Sequence, residues 1–401
     1  MNTTEKWIND WRTFDSDQRI ENLGTLANSL DITWSDGRVS PFHFEWLRDN
    51  CPCNTCVYEL TREQVFEIVD VDVQGAPKSA AVDEHGRLHV TWHDGHVSRY
   101  EPGWLRAHAY DTQSRAERTE ETHIAQAWGA GYQDMLKTFD CASLLEDESA
   151  LLAWLKALRI HGVTLVTGVP VERGTVRTLA ERVSFVRESN FGTIFNVESK
   201  PDANSNAYTS FNLPPHTDLP TRELQPGLQF LHCLVNDAQG GDSIFVDGYA
   251  IAEKMRSDWP DDFHLLTTIP LEFRNKDTVT DYRWKAPLIQ LGTAGEVIEV
   301  RVANFLRGPF DAPPDQMQEL YRAYRRFLTL ARDPSLRIVK RLRAGDMWVF
   351  DNRRILHART AFDPSTGKRH LQGCYIDRDE LVSRIRVLER GVGVGARAAQ
   401  S

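Results

Sequence analysis

The chain has 401 residues, of which 41% are hydrophobic and 26% are charged, a composition typical of a folded protein with room for two or three domains. Its 47 basic and 57 acidic side chains give a formal net charge of -10. Nucleic acids and anionic membranes select basic surfaces, so we expect neither as the main partner. A small anionic substrate remains compatible with this charge, because a few buried arginines can override a weak overall field.

The N-terminal residues and the cysteine pattern of the sequence predict a cytoplasmic protein. The first residues contain neither the apolar core of an export signal nor an Arg/Ser-rich presequence, and no stretch approaches the roughly 18 apolar residues of a membrane span. Cys51, Cys53 and Cys56 lie close together, and three further cysteines are scattered. We therefore expect reduced thiols, with the cluster more typical of a metal site than of a disulfide framework.

The first hundred residues have the pattern of short strands joined by tight turns. Two candidate hairpins pair residues 32–34 with 38–40 and residues 88–92 with 96–100, around turns that end in glycine. A polar, charged stretch from about residue 108 follows. We expect a small N-terminal β domain over residues 1–108 and a helical linker over residues 109–140.

The remaining chain is predicted to be mainly β with flanking helices. Helical spacing occurs at 144–158, 178–186, 249–256 and 314–331, and strand candidates at 162–166, 227–234, 242–246, 297–302, 347–350 and 370–377. Many strands at short spacing favour a double-stranded β-helix, or jelly roll, over a parallel α/β fold. We assign this domain to residues 141–390 and expect residues 391–401 to form a disordered tail.

His216, Asp218 and His357 form a candidate iron site. Two imidazoles and one carboxylate can cap one face of an Fe(II) ion and leave the other face open for a bidentate cosubstrate and dioxygen. The short triplet alone is weak evidence, since a chain with 13 histidines contains about one by chance. The context favours a site, because two prolines before His216 exclude a helix interior and His357 follows an apolar strand and a polar turn.

Arg369 is the candidate partner of the cosubstrate. Its guanidinium could bind a dicarboxylate such as 2-oxoglutarate through two parallel hydrogen bonds. If the strand that Arg369 opens paired with the strand of His357, the two side chains would lie at neighbouring sites along one pocket wall. The sequence thus predicts an oxygenase that uses Fe(II) and 2-oxoglutarate.

The cysteine cluster is a candidate zinc site. Cys51, Cys53 and Cys56 supply three thiolates, and a histidine about forty residues later could complete a tetrahedral site. That histidine could be His85, His89, His93 or His96. Four protein ligands leave no open position, so such a zinc would be structural; the alternative is three incidental cysteines in a loop.

The sequence resembles the γ-butyrobetaine hydroxylase and trimethyllysine hydroxylase family of Fe(II)/2-oxoglutarate oxygenases over nearly its whole length. The resemblance rests on residues 48–53, 206–209, 216–218, 226–233, 240–243 and 351–357. It implies iron ligation by His216, Asp218 and His357, and binding of the distal 2-oxoglutarate carboxylate by Arg369. It also implies Leu231 in the cosubstrate wall.

The same resemblance has implications beyond the catalytic centre. It implies that His96 is the fourth zinc ligand, beside the three clustered cysteines. A homodimer and stimulation by ascorbate are implied as well. None of these expectations follows from composition or spacing alone.

The resemblance also implies an aromatic cage for a quaternary ammonium group, a cation that ring faces attract. The cage positions correspond to Phe191, Phe195, Tyr208 and Tyr375. Animal γ-butyrobetaine hydroxylases carry tyrosine and tryptophan where Phe191 and Phe195 stand, so the substrate name transfers less directly than the iron site. The alternative for any one of these rings is an ordinary core aromatic.

For the anionic end of the substrate, the resemblance points to the neighbourhood of Asn304 and Arg307. Relatives often carry two asparagines followed by a basic residue here, whereas this chain keeps Asn304 and has alanine before it, with Arg307 displaced. Altered partners could accommodate a phosphonate in place of a carboxylate, because arginine's fork suits a tetrahedral dianion. Arg307 could equally be a surface salt-bridge residue.

Four functions therefore follow as alternatives. The leading one is hydroxylation of a small trimethylammonium compound such as γ-butyrobetaine, with dioxygen as the second substrate. Hydroxylation of 2-trimethylaminoethylphosphonate and hydroxylation of trimethyllysine are the two enzymatic alternatives. The fourth is a non-catalytic jelly-roll protein that binds partners through its zinc module, which the complete set of iron ligands argues against.

Overall fold

The computed structural model describes residues 16–61, 63–71, 76–122, 124–198 and 209–398. The chain divides into two compact units, residues 1–123 and residues 124–401. This division falls inside the stretch 109–140 that the sequence suggests as a linker. The first part of that stretch, a helix at Thr112–Thr122, belongs to the N-terminal unit.

The N-terminal unit consists of two small antiparallel sheets and short helices. Its strands are β1 (Ile20–Thr25), β2 (Ser29–Trp34), β3 (Val39–His43), β4 (Ser79–Val82), β5 (Leu88–Thr91) and β6 (Val97–Tyr100), and its helices are α1 (Phe44–Asp49), α2 (Pro102–His108) and α3 (Thr112–Thr122). Both predicted hairpins are present, as β2–β3 and β5–β6. Their turns contain Gly37 and Gly95 at φ of 80° and 87°, a backbone conformation that glycine adopts without strain.

The second unit contains the remaining elements of the described chain. Its strands are β7 (Thr138–Asp140), β8 (Val163–Thr167), β9 (Phe195–Glu198), β10 (Leu213–His216), β11 (Leu228–Asn236), β12 (Gln239–Gly240), β13 (Ser243–Asp247), β14 (Leu271–Lys276), β15 (Asp281–Ala286), β16 (Ile289–Leu291), β17 (Val297–Val300), β18 (Arg337–Lys340), β19 (Met347–Asp351), β20 (Ile355–Arg359), β21 (Phe362–Asp363) and β22 (Arg369–Ile376). Its helices are α4 (Tyr132–Met135), α5 (Cys141–Glu146), α6 (Glu148–His161), α7 (Thr175–Ala180), α8 (Gly248–Asp258), α9 (Pro260–Thr268), α10 (Met317–Leu330) and α11 (Arg378–Ala398).

Two sheets form the centre of the second unit. The larger sheet has the order β7-β8-β19-β11-β22-β9 and the smaller has the order β10-β20-β13-β18. Apolar side chains join them, with Phe245 of the smaller sheet packed 4.6 Å from Trp348 of the larger, measured between ring centroids. Helices α6, α7 and α11 cover the other face of the larger sheet. The predicted combination of β sheets with flanking helices is confirmed.

Helix α6 illustrates how local sequence sets the ends of an element. The sequence pattern suggests one helix over residues 144–158, but the structure divides this stretch into α5 and α6 at Asp147. The Asp147 carboxylate accepts a hydrogen bond from the Ser149 amide, which satisfies a donor that the first helical turn leaves unpaired. Gly162 then ends α6 in the left-handed conformation and leads into β8.

Helix α11 extends further than the sequence suggests. Leu381, Ile385 and Leu388 recur at helical spacing and pack into the same core as α6. The helix continues to Ala398, whereas the sequence predicts a disordered tail from residue 391. Although α11 is long, no helix in the described part of the chain is apolar enough over sufficient length to cross a membrane.

His232 on β11 predicts a pH dependence of stability. Its side chain is fully buried, and neither ring nitrogen has a hydrogen-bond partner among the described residues. Burial lowers the pKa of His232 to about 4. Below the unfolded-state pKa, roughly 6.5, the unfolded chain therefore binds a proton that the folded chain rejects, and stability falls as the pH falls.

Replacing this residue, in His232→Leu, should remove that dependence. Between about pH 7.5 and about pH 5, the wild-type protein should lose roughly 2 kcal/mol of unfolding free energy more than the variant loses. Urea unfolding at both pH values measures the difference. The exposed-site control His264→Leu should behave as wild type, and equal losses in His232→Leu and wild type would disprove the prediction.

Candidate active site

His216, Asp218 and His357 converge because two strands of the smaller sheet pair in register. β10 and β20 run antiparallel, with His216 directly opposite His357. The two imidazole rings lie 4.1 Å apart between centroids. Asp218 Oδ1 lies 3.3 Å from His216 Nε2 and 3.6 Å from His357 Nε2. One nitrogen or oxygen atom from each residue therefore faces a common point, a donor set that fits Fe(II).

Local hydrogen bonds orient the first of these histidines. His216 Nδ1 lies 2.9 Å from the carbonyl oxygen of Pro214, which can only accept a hydrogen bond. The proton is therefore placed on Nδ1, and the lone pair of Nε2 points toward the common point. Pro214 itself needs no amide partner, so the strand can carry a proline at this position.

Asn352 and a strained residue fix the backbone around Asp218. The Asn352 side chain accepts a hydrogen bond from the Asp218 amide at 2.6 Å and donates to the Asp218 carbonyl oxygen at 3.1 Å. The next residue, Leu219, has a φ of 52°, a conformation that costs a residue with a side chain of order 1 kcal/mol. Asn352 thus supports a turn that would otherwise relax, and the turn aims the carboxylate at the two imidazoles.

The electrostatics of the three side chains suit a cation. Burial disfavours the charged form of Asp218, but His357, His216 and a hydrogen bond from Tyr375 outweigh it and lower its pKa below the usual range. Burial and the neighbouring His216 lower the pKa of His357 to about 3. The carboxylate is therefore ionised and His357 is neutral near neutral pH, which are the forms that bind a metal ion.

A cavity of about 410 Å³ opens beside these residues, and Arg369 lies on its wall. Arg369 is 8% exposed, and its Nε and Nη1 have no hydrogen-bond partner among the described residues. Burial and the nearby Arg359 lower the pKa of Arg369 to about 10, so it remains cationic. Gly241 leaves room for it, since a Cβ atom there would lie 3.0 Å from Arg369 Nε. This buried guanidinium is suited to an anionic ligand.

Arg369 lies on a different sheet from His357, whereas the sequence suggests neighbouring strands of one sheet. The sequence suggests adjacent strands for His357 and Arg369. In the structure, His357 lies on β20 of the smaller sheet, and Arg369 opens β22 of the larger sheet, opposite Asn236 on β11. The two side chains thus approach one cavity from different sheets. Leu231, predicted as part of the cosubstrate wall, also lines this cavity.

Three of the four predicted cage residues line the cavity. These are Phe191, Phe195 and Tyr375. The rings of Phe195 and Tyr375 lie 4.9 Å apart between centroids, inclined by 32°. Tyr208 lies outside the described residues. Phe305, which the sequence analysis did not select, adds a ring 5.1 Å from that of His216.

Asn304 and Arg307 are not among the residues that line the cavity. The Asn304 side chain accepts a hydrogen bond from the hydroxyl of Tyr324 on α10. The Arg307 guanidinium donates to the Gly308 carbonyl oxygen and lies over the rings of Phe310 and Tyr324. The two side chains are therefore engaged with the helix side of the unit, and their role in binding the substrate stays a prediction.

The β14–β15 hairpin contributes cavity residues that the sequence analysis missed. Asn275, Lys276 and Asp277 line the cavity near the hairpin turn. The Asp277 carboxylate accepts hydrogen bonds from the Val279 and Thr280 amides and so stabilises the turn. Alternation of apolar with charged residues along residues 271–276 was the available signal for this strand.

The cysteine cluster of the N-terminal unit has the geometry of a tetrahedral metal site. The distances from His96 Nε2 to the sulfur atoms of Cys51, Cys53 and Cys56 are 3.2, 3.7 and 3.7 Å. Ligands of a tetrahedral zinc lie about 3.6 Å from one another, given zinc bonds of roughly 2.0 to 2.3 Å. The four donor atoms therefore fit a Cys₃His zinc site.

The other candidate histidines have different neighbours. His89 Nε2 lies 2.9 Å from Asp83, His93 Nε2 lies 3.1 Å from the Ala76 carbonyl oxygen, and His85 lies beside Glu84. Of the four histidines that the spacing left open, His96 is therefore the one that joins the cluster.

Comparison with known proteins covers both units. Residues 120–375 match the model of the taurine catabolism dioxygenase TauD, TfdA family, and residues 22–106 match the γ-butyrobetaine hydroxylase-like N-terminal family. The chain is 56% identical to a γ-butyrobetaine dioxygenase of Pseudomonas sp. (strain AK-1), over 96% of this chain and 100% of the relative.

More distant relatives carry two different names. The human γ-butyrobetaine dioxygenase is 32% identical, over 92% of this chain and 96% of the relative. A trimethyllysine dioxygenase of Meyerozyma guilliermondii is 30% identical, over 94% of this chain and 97% of the relative. Since both units match family models and these relatives align over more than nine-tenths of the chain, the chain belongs to the γ-butyrobetaine and trimethyllysine dioxygenase family of Fe(II)/2-oxoglutarate oxygenases.

Proposed function

We propose that this protein catalyses the Fe(II)- and 2-oxoglutarate-dependent hydroxylation of an aliphatic C–H bond in a small trimethylammonium substrate, with γ-butyrobetaine as the reference compound. One observation carries the proposal: the predicted cage rings of Phe191, Phe195 and Tyr375, a ligand set for iron and the buried Arg369 line a single cavity. The 56% identity to a relative named γ-butyrobetaine dioxygenase supports the same substrate class.

Each wall of the cavity has a distinct task in this reaction. His216, Asp218 and His357 would hold Fe(II), and Arg369 would pair with the distal carboxylate of 2-oxoglutarate. When bound, iron and 2-oxoglutarate supply the oxidising power that inserts one atom of dioxygen into a C–H bond, with release of succinate and carbon dioxide. The surrounding apolar side chains exclude water, which protects the reaction from unproductive turnover.

Recognition of the substrate cation is assigned to the aromatic rings. A trimethylammonium group cannot donate hydrogen bonds, so ring faces are the suitable partners. Phe191, Phe195 and Tyr375 offer such faces, and we assign Tyr208 to the same cage by family resemblance. A bound cation would thereby hold one end of the substrate while a carbon along its chain faces the metal.

Turnover assays with three substrates test the proposal. γ-Butyrobetaine, 2-trimethylaminoethylphosphonate and trimethyllysine are compared at equal concentration, with hydroxylated product measured by mass spectrometry. The highest kcat/KM is expected for γ-butyrobetaine. A higher value for the phosphonate would reassign the anionic group, and inactivity on all three would contradict the cage.

We assign recognition of the substrate's anionic end to Lys276 on the β14–β15 hairpin. Asn304 and Arg307 are engaged elsewhere, whereas Lys276 lines the cavity and has no hydrogen-bond or ion-pair partner among the described residues. Lys276 acts on Asp281 across the hairpin only through longer-range electrostatics, so no ion pair within 4 Å among the described residues has to break before its ammonium meets a carboxylate. We expect Lys276→Met to raise the KM for γ-butyrobetaine roughly tenfold, which corresponds to about 1.4 kcal/mol.

A substrate without the anion isolates this contact. With butyltrimethylammonium, Lys276→Met should have a KM close to that of wild type. The matched control on the same hairpin is Lys285→Met, which loses an ion pair to Asp311. This variant should have the wild-type KM for both γ-butyrobetaine and butyltrimethylammonium. Equal effects of Lys276→Met on both substrates would disprove the assignment.

We further propose that the two central sheets form a jelly roll and that the N-terminal cluster binds structural zinc. One zinc per chain is expected by elemental analysis, and Cys53→Ser should lose it and destabilise the N-terminal unit, because metal binding and folding of such sites are coupled. The control Cys141→Ser makes the same chemical change away from the cluster and should retain zinc. Full zinc content in Cys53→Ser would contradict the site.

The family assignment also supports a homodimer in the cytoplasm. Light scattering coupled to size-exclusion chromatography tests the dimer, for which a mass of twice 45.8 kDa is expected. A monomer at all accessible concentrations would contradict it. Ascorbate should stimulate turnover by keeping iron reduced, and assays with and without it measure this effect.

A further inference from the structure

We propose that Tyr375 is a positioning residue for the metal-binding carboxylate of Asp218, in addition to forming a wall of the substrate cavity. The Tyr375 hydroxyl donates a hydrogen bond to Asp218 Oδ2 at 2.8 Å. The inference rests on the proposed metal site and does not depend on which substrate is hydroxylated. It assigns separate tasks to the hydroxyl and to the ring of one side chain.

The two oxygens of the Asp218 carboxylate have different neighbours. Oδ1 faces Nε2 of His216 and Nε2 of His357, so this oxygen would bind the metal ion. Oδ2 is the one that accepts the hydrogen bond from Tyr375. The hydroxyl thus occupies the oxygen that would otherwise be free to turn toward the metal.

Tyr375 is held rigidly enough to perform this task. It lies on β22, opposite Gln229 of β11, and its carbonyl oxygen accepts a hydrogen bond from the Arg187 amide at 2.8 Å. The side chain is 2% exposed and packs against Phe195. The strand and the packing therefore fix where the hydroxyl lies, independently of whether a metal ion is bound.

This hydrogen bond has a chemical consequence for the coordination sphere. Beside the two histidines, an aspartate that binds through one oxygen would leave positions on the metal ion open for a bidentate cosubstrate and dioxygen. Without the donor, the carboxylate could rotate or bind through both oxygens and occupy one of these positions. Asn352 fixes the backbone of Asp218, and Tyr375 fixes its side chain, so the two contacts together set the geometry of the ligand.

Tyr375→Phe separates the two tasks, because it removes the hydroxyl and retains the ring. The probe is Mn(II), whose binding to the zinc-loaded protein is measured by electron paramagnetic resonance in the absence of substrate. We expect Tyr375→Phe to weaken Mn(II) binding by about 10- to 100-fold, the usual cost of losing a hydrogen bond to a metal ligand. Its KM for γ-butyrobetaine should change less than about threefold, since the ring face is retained.

Two further variants complete the experiment. Phe191→Leu should show the opposite behaviour, with unchanged Mn(II) affinity and a raised KM for γ-butyrobetaine, because Phe191 lines the cavity. Tyr249→Phe removes a hydroxyl that donates to the Ile298 carbonyl oxygen outside the cavity, and it should leave Mn(II) binding as in wild type. Circular dichroism verifies that each variant is folded.

The outcomes distinguish this inference from the proposed function. Wild-type Mn(II) affinity in Tyr375→Phe would overturn the role of the hydroxyl while the metal site stands. Mn(II) binding that is equal in wild type and in His216→Ala would overturn the metal site itself, and the inference with it. Weakened binding in Tyr375→Phe, with normal binding in Phe191→Leu and Tyr249→Phe, would support the inference.

Discussion

Asp218→Ala is expected to abolish substrate hydroxylation, with a fall in kcat/KM of at least about 10³-fold, equivalent to about 4 kcal/mol. The variant loses the anionic member of the proposed iron site and the acceptor of the Tyr375 hydrogen bond. The fold should remain, because Asn352 still holds the backbone at this position. Product formation with γ-butyrobetaine measures the first expectation, and far-ultraviolet circular dichroism measures the second.

A surface carboxylate provides the control for this variant. Asp258→Ala removes an exposed carboxylate that pairs with Lys254, and it should retain wild-type turnover. His216→Ala should reproduce the loss seen in Asp218→Ala, since both residues would bind the same ion. Near-wild-type turnover in either of these two variants would contradict the assignment of the iron site.

Arg369→Met is expected to raise the KM for 2-oxoglutarate by roughly 100-fold, equivalent to about 2.7 kcal/mol. The substitution removes a buried cation whose Nε and Nη1 have no other partner among the described residues. Arg369→Lys should recover part of the loss, because an ammonium retains the charge but cannot form two parallel hydrogen bonds. Decarboxylation of labelled 2-oxoglutarate over a range of concentrations measures the effect.

The neighbouring Arg359 is the alternative binding partner for the 2-oxoglutarate carboxylate, and variants of the two arginines distinguish between them. Its Nη2 donates to the carbonyl oxygens of Thr209 and Phe211, so its contribution should be mainly to hold that segment. Arg177→Met, a change on the exposed surface of α7, should leave the KM for 2-oxoglutarate unaltered. A large increase in Arg359→Met together with none in Arg369→Met would move the carboxylate site to Arg359.

The chemistry of the site could be predicted from sequence more completely than its geometry. The residue types and their order predict His216, Asp218, His357 and Arg369 as the iron and 2-oxoglutarate site, and the structure brings all four to one cavity. The predicted strand adjacency of His357 and Arg369 was wrong. Proximity along the chain does not specify which sheet a strand joins, and here two sheets contribute one residue each.

The contacts that hold the Asp218 backbone in place could not be predicted from sequence patterns. Asn352 is hydrogen-bonded to Asp218 although the two residues lie 134 positions apart in the chain, and the strained φ of Leu219 has no signature in residue type. Both follow from how β10 and β20 pair and from the turn between Asp218 and β11. Such contacts depend on tertiary structure, which local propensity does not determine.

The segment around Asn304 and Arg307 shows which features family resemblance alone does not specify. Phe305 and Leu306, which lie between Asn304 and Arg307 in the sequence, line the cavity. The side chains of Asn304 and Arg307 instead meet Tyr324 and the ring of Phe310. A short helical turn at Asn304–Leu306 decides which side chains face the cavity, and its direction could not be read from the sequence.

The most direct test of the proposed function is the stoichiometry of the reaction. Zinc-loaded protein is supplied with Fe(II), 2-oxoglutarate and oxygen, and succinate and hydroxylated product are quantified with and without γ-butyrobetaine. We expect γ-butyrobetaine to accelerate succinate formation, with about one molecule of hydroxylated product formed per molecule of succinate. Succinate formation that does not depend on γ-butyrobetaine, with no hydroxylated product, would contradict it.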